Sequence, residues 1–534
     1  MTTLVLSLVS HTNAGKTTLA RTLLGRDIGE VRDAPHVTEF ADGYTLQETP
    51  EGDELQLWDT PGFGDSVRLV KRLRQADSPL GWFLSAVWDR WSDRPFWASQ
   101  QALRHVRDRS SVVLYLVNAG EEPAAAGYVK PEMELLAWVG KPVLVLLNQL
   151  GAPRGGDADD AEVRRWRDFL VPFAPVSAVL PLDAFARCWV QELALLQAVE
   201  KAVEQAVDQA LQAPPQTLAE SRDRAAMARL RQAWLARRLA TFDASVQALA
   251  GSLGRIGAAR AAGAEGAAPA GWLDRLRRLG SLPSGVGSGA GADADPAQAA
   301  LALALDEEVR RSTGELIALH GLDGRAQGEV LALLAGEVET RERVPEGRAA
   351  MLGGAVTGAL AGLKADLASG GLTLGGGLIA GGLLGALGAA GLARAVNVVR
   401  DTERRWVHWR AEAMAPRVES ALLRYLAVAH FGRGRGEWQS GEAPAHWREA
   451  VKAVLAAQAP DWAALWAGRS TRWDNAGEAE RLAQGAQPLL AVAARALLQR
   501  LYPQAWAGVV QGGLEASTAG TAETAGLAAH NPAA

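Results

Sequence analysis

The sequence of 534 residues has a single cysteine and no large excess of charge of either sign. One cysteine, Cys188, excludes an internal disulfide and a cysteine-based zinc cluster, and we expect it to be a small buried residue. With 55 Lys+Arg against 60 Asp+Glu, the formal charge is -5. This balance provides no global attraction for nucleic acid or acidic lipid, so any such binding must be local.

The chain also lacks a basic segment before its first apolar run, and its eight histidines lack metal-ligand spacing. The opening "LVLSLV" is therefore interpreted as a core strand and not as a signal peptide, which predicts a cytoplasmic location. The cluster "RRWVHWR" at 404–410 is interpreted as a helix face that carries His408.

Short apolar runs alternate with helical stretches over the first 195 residues. "LVLSLV", "ELQLW", "SVVLYLVN" and "PVLVLLN" are the predicted strands. This alternation predicts a doubly wound α/β domain with a mainly parallel sheet. Beyond it, residues rich in Ala, Leu, Arg and Glu at helical spacing predict a mostly α-helical C-terminal region.

A phosphate-binding loop follows the first predicted strand. The stretch "SHTNAGKTTL" places a Gly-Lys-Thr sequence between a strand and a helix, where backbone amides and the helix N-terminus attract phosphate. Lys16 is expected to reach the β- and γ-phosphates, and the Thr17 hydroxyl to coordinate Mg²⁺. Ser10 stands where the motif has glycine, which reduces backbone freedom but keeps the amides. The predicted nucleotide-binding residues here are Asn13, Ala14, Gly15, Lys16, Thr17 and Thr18.

A second motif, "LWDTPGFGDS" at 57–66, strengthens this prediction. An apolar strand that ends in Asp-Thr-Pro-Gly supplies a carboxylate for the Mg²⁺ side and a glycine amide for the γ-phosphate. We expect Asp59 to hold the ion through water and Gly62 to approach the γ-phosphate.

"NAGKT" and "DTPGFGD" together resemble the P-loop GTPases of the TrmE-Era-EngA-septin-like superfamily, over residues 1 to about 185. The resemblance implies a GTPase that binds GTP and Mg²⁺. It also implies that Thr38, in "HVTEF", is the switch threonine that binds Mg²⁺ around a γ-phosphate. The later stretch "ALLRYLAVAHFGRGRGEW" resembles the C-terminal part of a group of bacterial two-part GTPases whose C-terminal region has no assigned function.

Base recognition departs from the family pattern Asn-Lys-x-Asp. Asn148 and Gln149 can still contact the base, but Gly151 lacks the carboxylate that reads guanine, which weakens discrimination against ATP. "PVSA" resembles the last base-binding motif, so Ser177 and the Ala178 amide are expected at the base. GTP is favoured over ATP or mixed use, and a degenerate site without hydrolysis stays open.

Catalysis must be mostly electrostatic, because Phe63 stands where many such proteins have a water-orienting glutamine. The resemblance implies that Asn13 ligates a K⁺ ion in the place of an arginine finger; the alternative is that Asn13 only braces the loop. The predicted catalytic residues are Lys16, Thr38 and Asn13, and the predicted metal ligands are Thr17, Thr38 and Asp59. Slow hydrolysis fits a molecular switch.

A glycine-rich stretch at 367–393 is uncharged over 27 positions, which is long enough to cross a roughly 30 Å hydrocarbon layer. Gly377, Gly381 and Gly385 recur every four residues, as do Gly354, Gly358 and Gly362 in the preceding stretch. Two such stripes predict a close-packed helical hairpin, either associated with the inner membrane or packed inside a soluble helical domain.

The sequence thus predicts a GTPase switch with a membrane lipid or membrane protein as partner and no clear nucleic-acid module. The alternatives are a soluble GTPase that assists ribosome or RNA maturation, and a nucleotide-binding scaffold with little hydrolysis. The predicted organisation is a GTPase domain over 1–195 with a Trp-rich insert over 67–105, a helical connector over 196–250, a flexible linker over 251–299, a helical segment over 300–348, the glycine-rich hairpin over 349–400, a helical region over 401–513 and a disordered tail over 514–534.

The membrane hypothesis predicts that one charge in the glycine-rich stretch releases the chain. Arg at Leu383 costs about 2.5–3.5 kcal/mol of insertion, while each Leu or Ile contributes only about -0.3 to -0.6 kcal/mol. We expect the wild-type chain to stay with membranes after a carbonate wash and Leu383→Arg to move to the soluble fraction. A wild-type chain that is soluble without detergent would refute membrane association.

Overall fold

The computed structural model divides into two compact units. Unit 1 comprises residues 1–239, 430–436 and 502–534, and unit 2 comprises 240–429 and 437–501. The residues described are 1–11, 14–25, 42–75, 94–150, 157–173, 175–184, 188–211, 218–262, 296–322, 396–400, 405–431, 445–470, 477–503 and 505–510.

Unit 1 contains a six-stranded sheet in the order β2-β3-β1-β4-β5-β6. Neighbouring strands are parallel except for β2, which pairs antiparallel with β3. The strands are β1 (Thr3–Ser10), β2 (Asp42–Glu48), β3 (Glu54–Asp59), β4 (Val112–Asn118), β5 (Val143–Asn148) and β6 (Val176–Pro181).

Helices connect these strands. They are α1 (Lys16–Leu24), α2 (Ser66–Gln75), α3 (Arg94–Arg109), α4 (Val129–Val139), α5 (Asp157–Leu170) and α6 (Trp189–Leu211), followed by α7 (Leu218–Ala258), which continues past the end of unit 1.

The core of unit 1 lies between this sheet and its helices. Strands β4 ("VVLYLVN") and β5 ("VLVLLN") are buried along almost their whole length, as expected for parallel strands covered on both faces. The predicted doubly wound α/β class is confirmed, and all four predicted strands are present. Strands β2 and β6 were not predicted: β2 is rich in polar residues, and β6 is more exposed than the central strands.

The polar residues of the site lie at one edge of this sheet. Ser10, Asp59 and Asn148 are the last residues of β1, β3 and β5, three parallel strands. The carboxyl ends of parallel strands meet at one edge, where ligands of such sheets bind.

Unit 2 is mostly helical, as predicted. Its helices are the second part of α7, then α8 (Pro296–Leu319), a 3-10 turn (Glu412–Met414), α9 (Ala415–Ala429), α10 (Ala445–Ala457), α11 (Ala459–Ala467) and α12 (Glu478–Leu501). It also contains an antiparallel sheet in the order β7-β9-β8, formed by β7 (Arg260–Ala262), β8 (Val396–Arg400) and β9 (Arg405–Trp409).

Two predictions for this region are wrong. His408 lies in strand β9, opposite Arg260 and Asn397, and not on a helix face. Trp406 and Trp409 are three residues apart, a spacing that favours a helix, so the sequence pattern did not indicate the strand. The linker predicted over 251–299 also begins too early, because α7 continues to Ala258 and β7 follows it.

The glycine-rich stretch 349–393 and Trp82, Trp88 and Trp91 of the Trp-rich insert lie outside the described residues. Within the described ranges, no helix is both long and apolar enough to cross a membrane.

The packing of α7 against α12 generates a stability prediction. A Cβ added at Gly254 would lie 2.2 Å from the Ala479 carbonyl oxygen, whereas a Cβ at Gly314 of α8 would meet nothing within 4 Å. We expect Gly254→Ala to lower the free energy of unfolding by about 1–3 kcal/mol through overpacking. Gly314→Ala is the control and should raise it by about 0.5–1 kcal/mol. Urea unfolding measures both, and equal effects would contradict the close approach of the two helices.

Candidate nucleotide site

The loop between β1 and α1 is held in a conformation that requires glycine. Gly15 has φ 90°, in the left-handed region, directly before the first residue of α1. A Cβ there would also lie 2.7 Å from Asn148 Nδ2. The loop therefore brings the start of α1 against the end of β5, with the helix N-terminus facing the sheet edge.

Lys16, the first residue of α1, is a buried cation. It is 8% exposed, and its Nζ donates a hydrogen bond to Ser10 Oγ at 2.8 Å. Burial lowers the pKa of Lys16, while the nearby Asp59 opposes that shift. No carboxylate forms an ion pair with Lys16 in the part of the chain that the structure describes. Because a buried charge is costly without a counter-charge, the site favours an anion at this position.

Ser10 supplies more than the sequence indicated. Ser10 stands where the motif has glycine, and its hydroxyl accepts a hydrogen bond from Lys16 Nζ. The same Oγ donates to the carbonyl of His11 at 2.5 Å. The serine therefore holds the lysine head group at the loop.

Thr17 and Asp59 lie together beside Lys16. Thr17 Oγ1 donates to Asp59 Oδ2 at 2.5 Å, and the Asp59 side chain is 3% exposed. A hydroxyl and a carboxylate are the hard oxygen ligands that Mg²⁺ prefers, and Mg²⁺ normally keeps water and phosphate as its other ligands. This pair fits such an ion. Among the described residues, no group of three or more His, Cys, Asp or Glu is arranged so that it could hold a metal ion by itself.

The segment after Asp59 is fixed to β1 and α3. Thr60 Oγ1 donates to the Leu8 carbonyl, and the Phe63 amide donates to the Ser10 carbonyl at 2.9 Å. Ser99 Oγ of α3 donates to the Gly62 carbonyl at 3.4 Å. The Phe63 ring is fully buried in the core, so it leaves no water-orienting side chain at that position.

Asn148 connects the end of β5 to two loops. Its Nδ2 donates to the Ala14 carbonyl at 2.9 Å, and its Oδ1 accepts from the Ala184 amide at 2.8 Å. The next residue, Gln149, has φ 58°, which is left-handed. Asn148 therefore braces the phosphate loop, and the predicted contact with the base stays a prediction.

The placement of Ser177 and Ala178 is a correction. Both lie inside β6, where Ala178 pairs with Leu144 near the start of β5, three residues before the carboxyl end of β6. Its partner Leu144 is four residues before Asn148, so at about 3.3 Å per residue Ala178 is roughly 13 Å from the sheet edge that holds Asn148. The expectation that its amide meets the base is therefore wrong.

The loop that reaches Asn148 is 182–184, which the sequence analysis missed. Ala184 bonds to Asn148, and Asp183 Oδ2 accepts from the Leu150 amide at 2.8 Å. The signal was present in "PLDA", where the polar residue Asp183 stands two residues after the end of β6.

A buried network behind the phosphate loop was also missed. His11 Nδ1 lies 2.9 Å from Glu132 Oε1, and Tyr115 OH donates to Glu132 Oε2 at 2.6 Å. The His11 ring stacks on Tyr128, with ring centroids 4.5 Å apart. The hydrogen bond to Glu132 raises the pKa of His11, and burial raises the pKa of Glu132, so both shifts favour retention of protons by the pair. Its sequence signal was a carboxylate directly before the apolar Met133 in α4.

The remaining predicted site residues divide into two groups. Thr18 is buried in the first turn of α1, next to Thr17. Asn13, Thr38 and Gly151 lie outside the described residues, so their predicted roles stay predictions.

The strand, loop and helix around Lys16, with Asp59 at the end of β3 and Gly62 after it, form a P-loop arrangement in unit 1. Residues 5–149 match the family model described as 50S ribosome-binding GTPase, which covers the domain and not the rest of the chain. A comparison with curated proteins finds no match.

The solved structures to which this chain is similar include GTPases and an elongation factor. Era of Aquifex aeolicus bound to GDP and AlF4⁻ is 16% identical, with 41% of this chain and 58% of that chain covered and a TM-score of 0.25. Era in complex with MgGDPNP and a segment of 16S ribosomal RNA is 16% identical, with the same coverage and a TM-score of 0.26. The bacterial selenocysteine-specific elongation factor is 13% identical, with 38% of this chain and 29% of that chain covered and a TM-score of 0.25. The match thus spans 58% of the length of the two Era chains.

The network behind the loop generates a stability prediction. Glu132→Ala leaves the buried Tyr115 hydroxyl and the half-buried His11 ring without their acceptor, and we expect it to lower the free energy of unfolding by about 1–3 kcal/mol. Glu132→Gln keeps an oxygen acceptor and should cost less. Glu134, two residues along α4, bonds to the exposed Arg74, so Glu134→Ala should cost under about 1 kcal/mol. Urea unfolding that ranks Glu134→Ala with Glu132→Ala would contradict this assignment.

Proposed function

We propose that this chain binds GTP with Mg²⁺ in unit 1 and hydrolyses GTP slowly, as a molecular switch. The observation that carries the proposal is the buried Lys16, whose Nζ bonds to the Ser10 hydroxyl beside the Thr17–Asp59 pair. A phosphate group supplies the anion that such a cation needs, and the start of α1 supplies backbone amides.

The residues of the chain act mainly by position and charge. Lys16 holds the β- and γ-phosphates and stabilises the charge that develops on them. Thr17 and Asp59 would hold Mg²⁺, which neutralises phosphate charge. Phe63 neither orients nor deprotonates water, so hydrolysis lacks that contribution and is slow.

Two further features of the proposal come from the sequence. Asn13 is proposed to ligate K⁺, in keeping with the resemblance of "NAGKT", and Thr38 to complete the Mg²⁺ site. GTP is proposed as the preferred nucleotide over ATP, with weaker discrimination than in proteins that have the full Asn-Lys-x-Asp. A location at the inner face of the membrane is proposed from residues 349–393 alone.

The family model favours a second candidate function, because its description names binding to the 50S ribosome. Under this alternative the chain is a GTPase that assists ribosome or RNA maturation. Co-sedimentation with 50S subunits in the presence of a non-hydrolysable GTP analogue, and its loss with GDP, would support that candidate.

Replacement of Lys16 tests the nucleotide site. We expect Lys16→Met to weaken the binding of a fluorescent GTP analogue roughly 10- to 100-fold, because a charge-assisted bond to phosphate is lost. Removal of a buried cation should leave the melting temperature of the nucleotide-free chain unchanged or raise it. Lys201→Met, on the exposed surface of α6, is the control and should bind normally.

Unchanged affinity in Lys16→Met would refute the phosphate site. Displacement of the analogue by ATP and GTP at equal concentrations would refute only the guanine preference.

A further inference from the structure

A groove of about 880 Å³ lies between α2, α4 and the turn that joins α5 to β6. It is separate from the phosphate loop and belongs entirely to unit 1. Its lining on α4 extends from Lys130 to Ala137, which is about two turns of helix. The groove therefore offers room for a short helical segment alongside α4.

The surface of this groove is largely apolar. Val67 of α2, Ala137 of α4 and Phe173 of the α5–β6 turn line it with apolar surface that is at least partly exposed, whereas Val70 and Met133 also line it but are buried. Val67 is 65% exposed. Val171, which precedes the lining residues of that turn, is 73% exposed, so two of the six large hydrophobic side chains exposed among the described residues lie at or next to this groove. Exposed apolar surface of this kind is typical of a binding site for another polypeptide.

The rim of the groove is basic. Lys71 of α2 and Lys130 of α4 are exposed, and neither forms an ion pair within the described ranges. The one acidic residue among the described lining, Glu134, is engaged by both Nε and Nη2 of Arg74. Helix α2, "SVRLVKRLRQ", contains four basic residues and no acidic residue. The groove thus presents unneutralised positive charge around an apolar surface.

We propose that this groove binds an amphipathic helix of a partner protein, with leucine-like side chains on one face and acidic side chains beside them. The apolar face covers Val67, Ala137 and Phe173, and the acidic residues pair with Lys71 and Lys130. A phosphate backbone would match the rim charge but would leave the apolar surface uncovered, so the groove favours a peptide over RNA. The proposal does not depend on the nucleotide chemistry of Lys16.

The position of α2 gives this surface a connection to the nucleotide site. Helix α2 begins at Ser66, four residues after Gly62, which the sequence predicts as the γ-phosphate contact. Segments of this kind change order when the γ-phosphate is lost. A partner held on α2 would therefore lie next to the part of the domain that responds to hydrolysis.

The test uses the full chain and labelled synthetic peptides, with fluorescence anisotropy as the measurement. The probe is a 14-residue helical peptide with leucine at i, i+3, i+4 and i+7 and glutamate at the flanking positions. Two matched peptides carry lysine in place of glutamate, or serine in place of leucine, and a 14-nucleotide single-stranded RNA is the fourth probe. We expect only the Leu/Glu peptide to bind.

Charge reversal then tests the site itself. We expect the double variant Lys71→Glu, Lys130→Glu to weaken binding of the Leu/Glu peptide at least roughly tenfold and to bind the Leu/Lys peptide instead. Val67→Ser should also weaken binding of the Leu/Glu peptide. Lys201→Glu, on α6 away from the groove lining, is the matched control and should leave binding unchanged.

Binding of the Leu/Lys peptide by the double variant would show that this variant is folded, so its weaker binding of the Leu/Glu peptide could not be attributed to unfolding. Equal binding of acidic and basic peptides, affinity unaffected by the charge reversal, or binding of the RNA and not of the peptide would each overturn the proposal.

Discussion

A lysine buried at the edge of a sheet has to be balanced by polar partners, and the site of this protein is organised around that requirement. Lys16 is 8% exposed, and the bond that it donates ends on a neutral hydroxyl, Ser10 Oγ. Neutral oxygen reduces the cost of burial but does not cancel the charge. An anionic ligand would therefore stabilise the charged form of Lys16. Without such a ligand, burial disfavours that form and lowers the pKa of Lys16.

The surrounding contacts keep the lysine in place. Asn148 bonds to the loop carbonyl of Ala14, so β5 supports the turn that Gly15 makes possible. The amide of Phe63 bonds to the carbonyl of Ser10, which ties the segment after Asp59 to the same strand end. A third contact is the hydrogen bond between His11 and the buried Glu132 of α4. Three separate elements thus determine where the loop lies before any ligand arrives, which reduces the ordering cost of binding.

The sequence predicted those parts of the domain that a local apolar pattern or a short motif specifies. Short apolar runs predicted β1, β4 and β5, an alternating apolar pattern predicted β3, and the Gly-Lys-Thr and Asp-Thr-Pro-Gly motifs predicted which strand ends carry the site. The sequence did not predict positions that depend on how distant segments pair in the folded domain. Ala178 was expected at the base from its motif, but the register of β6 against β5 places it well before the sheet edge and brings Ala184 there instead. The contact between His11 and Glu132 could not be predicted, because the two residues are 121 positions apart in the sequence and meet only in the folded domain.

The most direct test of this account is a pH titration of the Lys16 side-chain amine by NMR, with Lys16→Met used to assign the resonance. In the nucleotide-free protein, we expect the pKa of Lys16 to lie below the ordinary lysine value of 10.5, because burial disfavours the charged form. Addition of GDP with Mg²⁺ should raise the pKa again, since phosphate oxygens supply the missing negative charge. A resonance that titrates near 10.5 in the free protein and does not respond to the nucleotide would contradict the account.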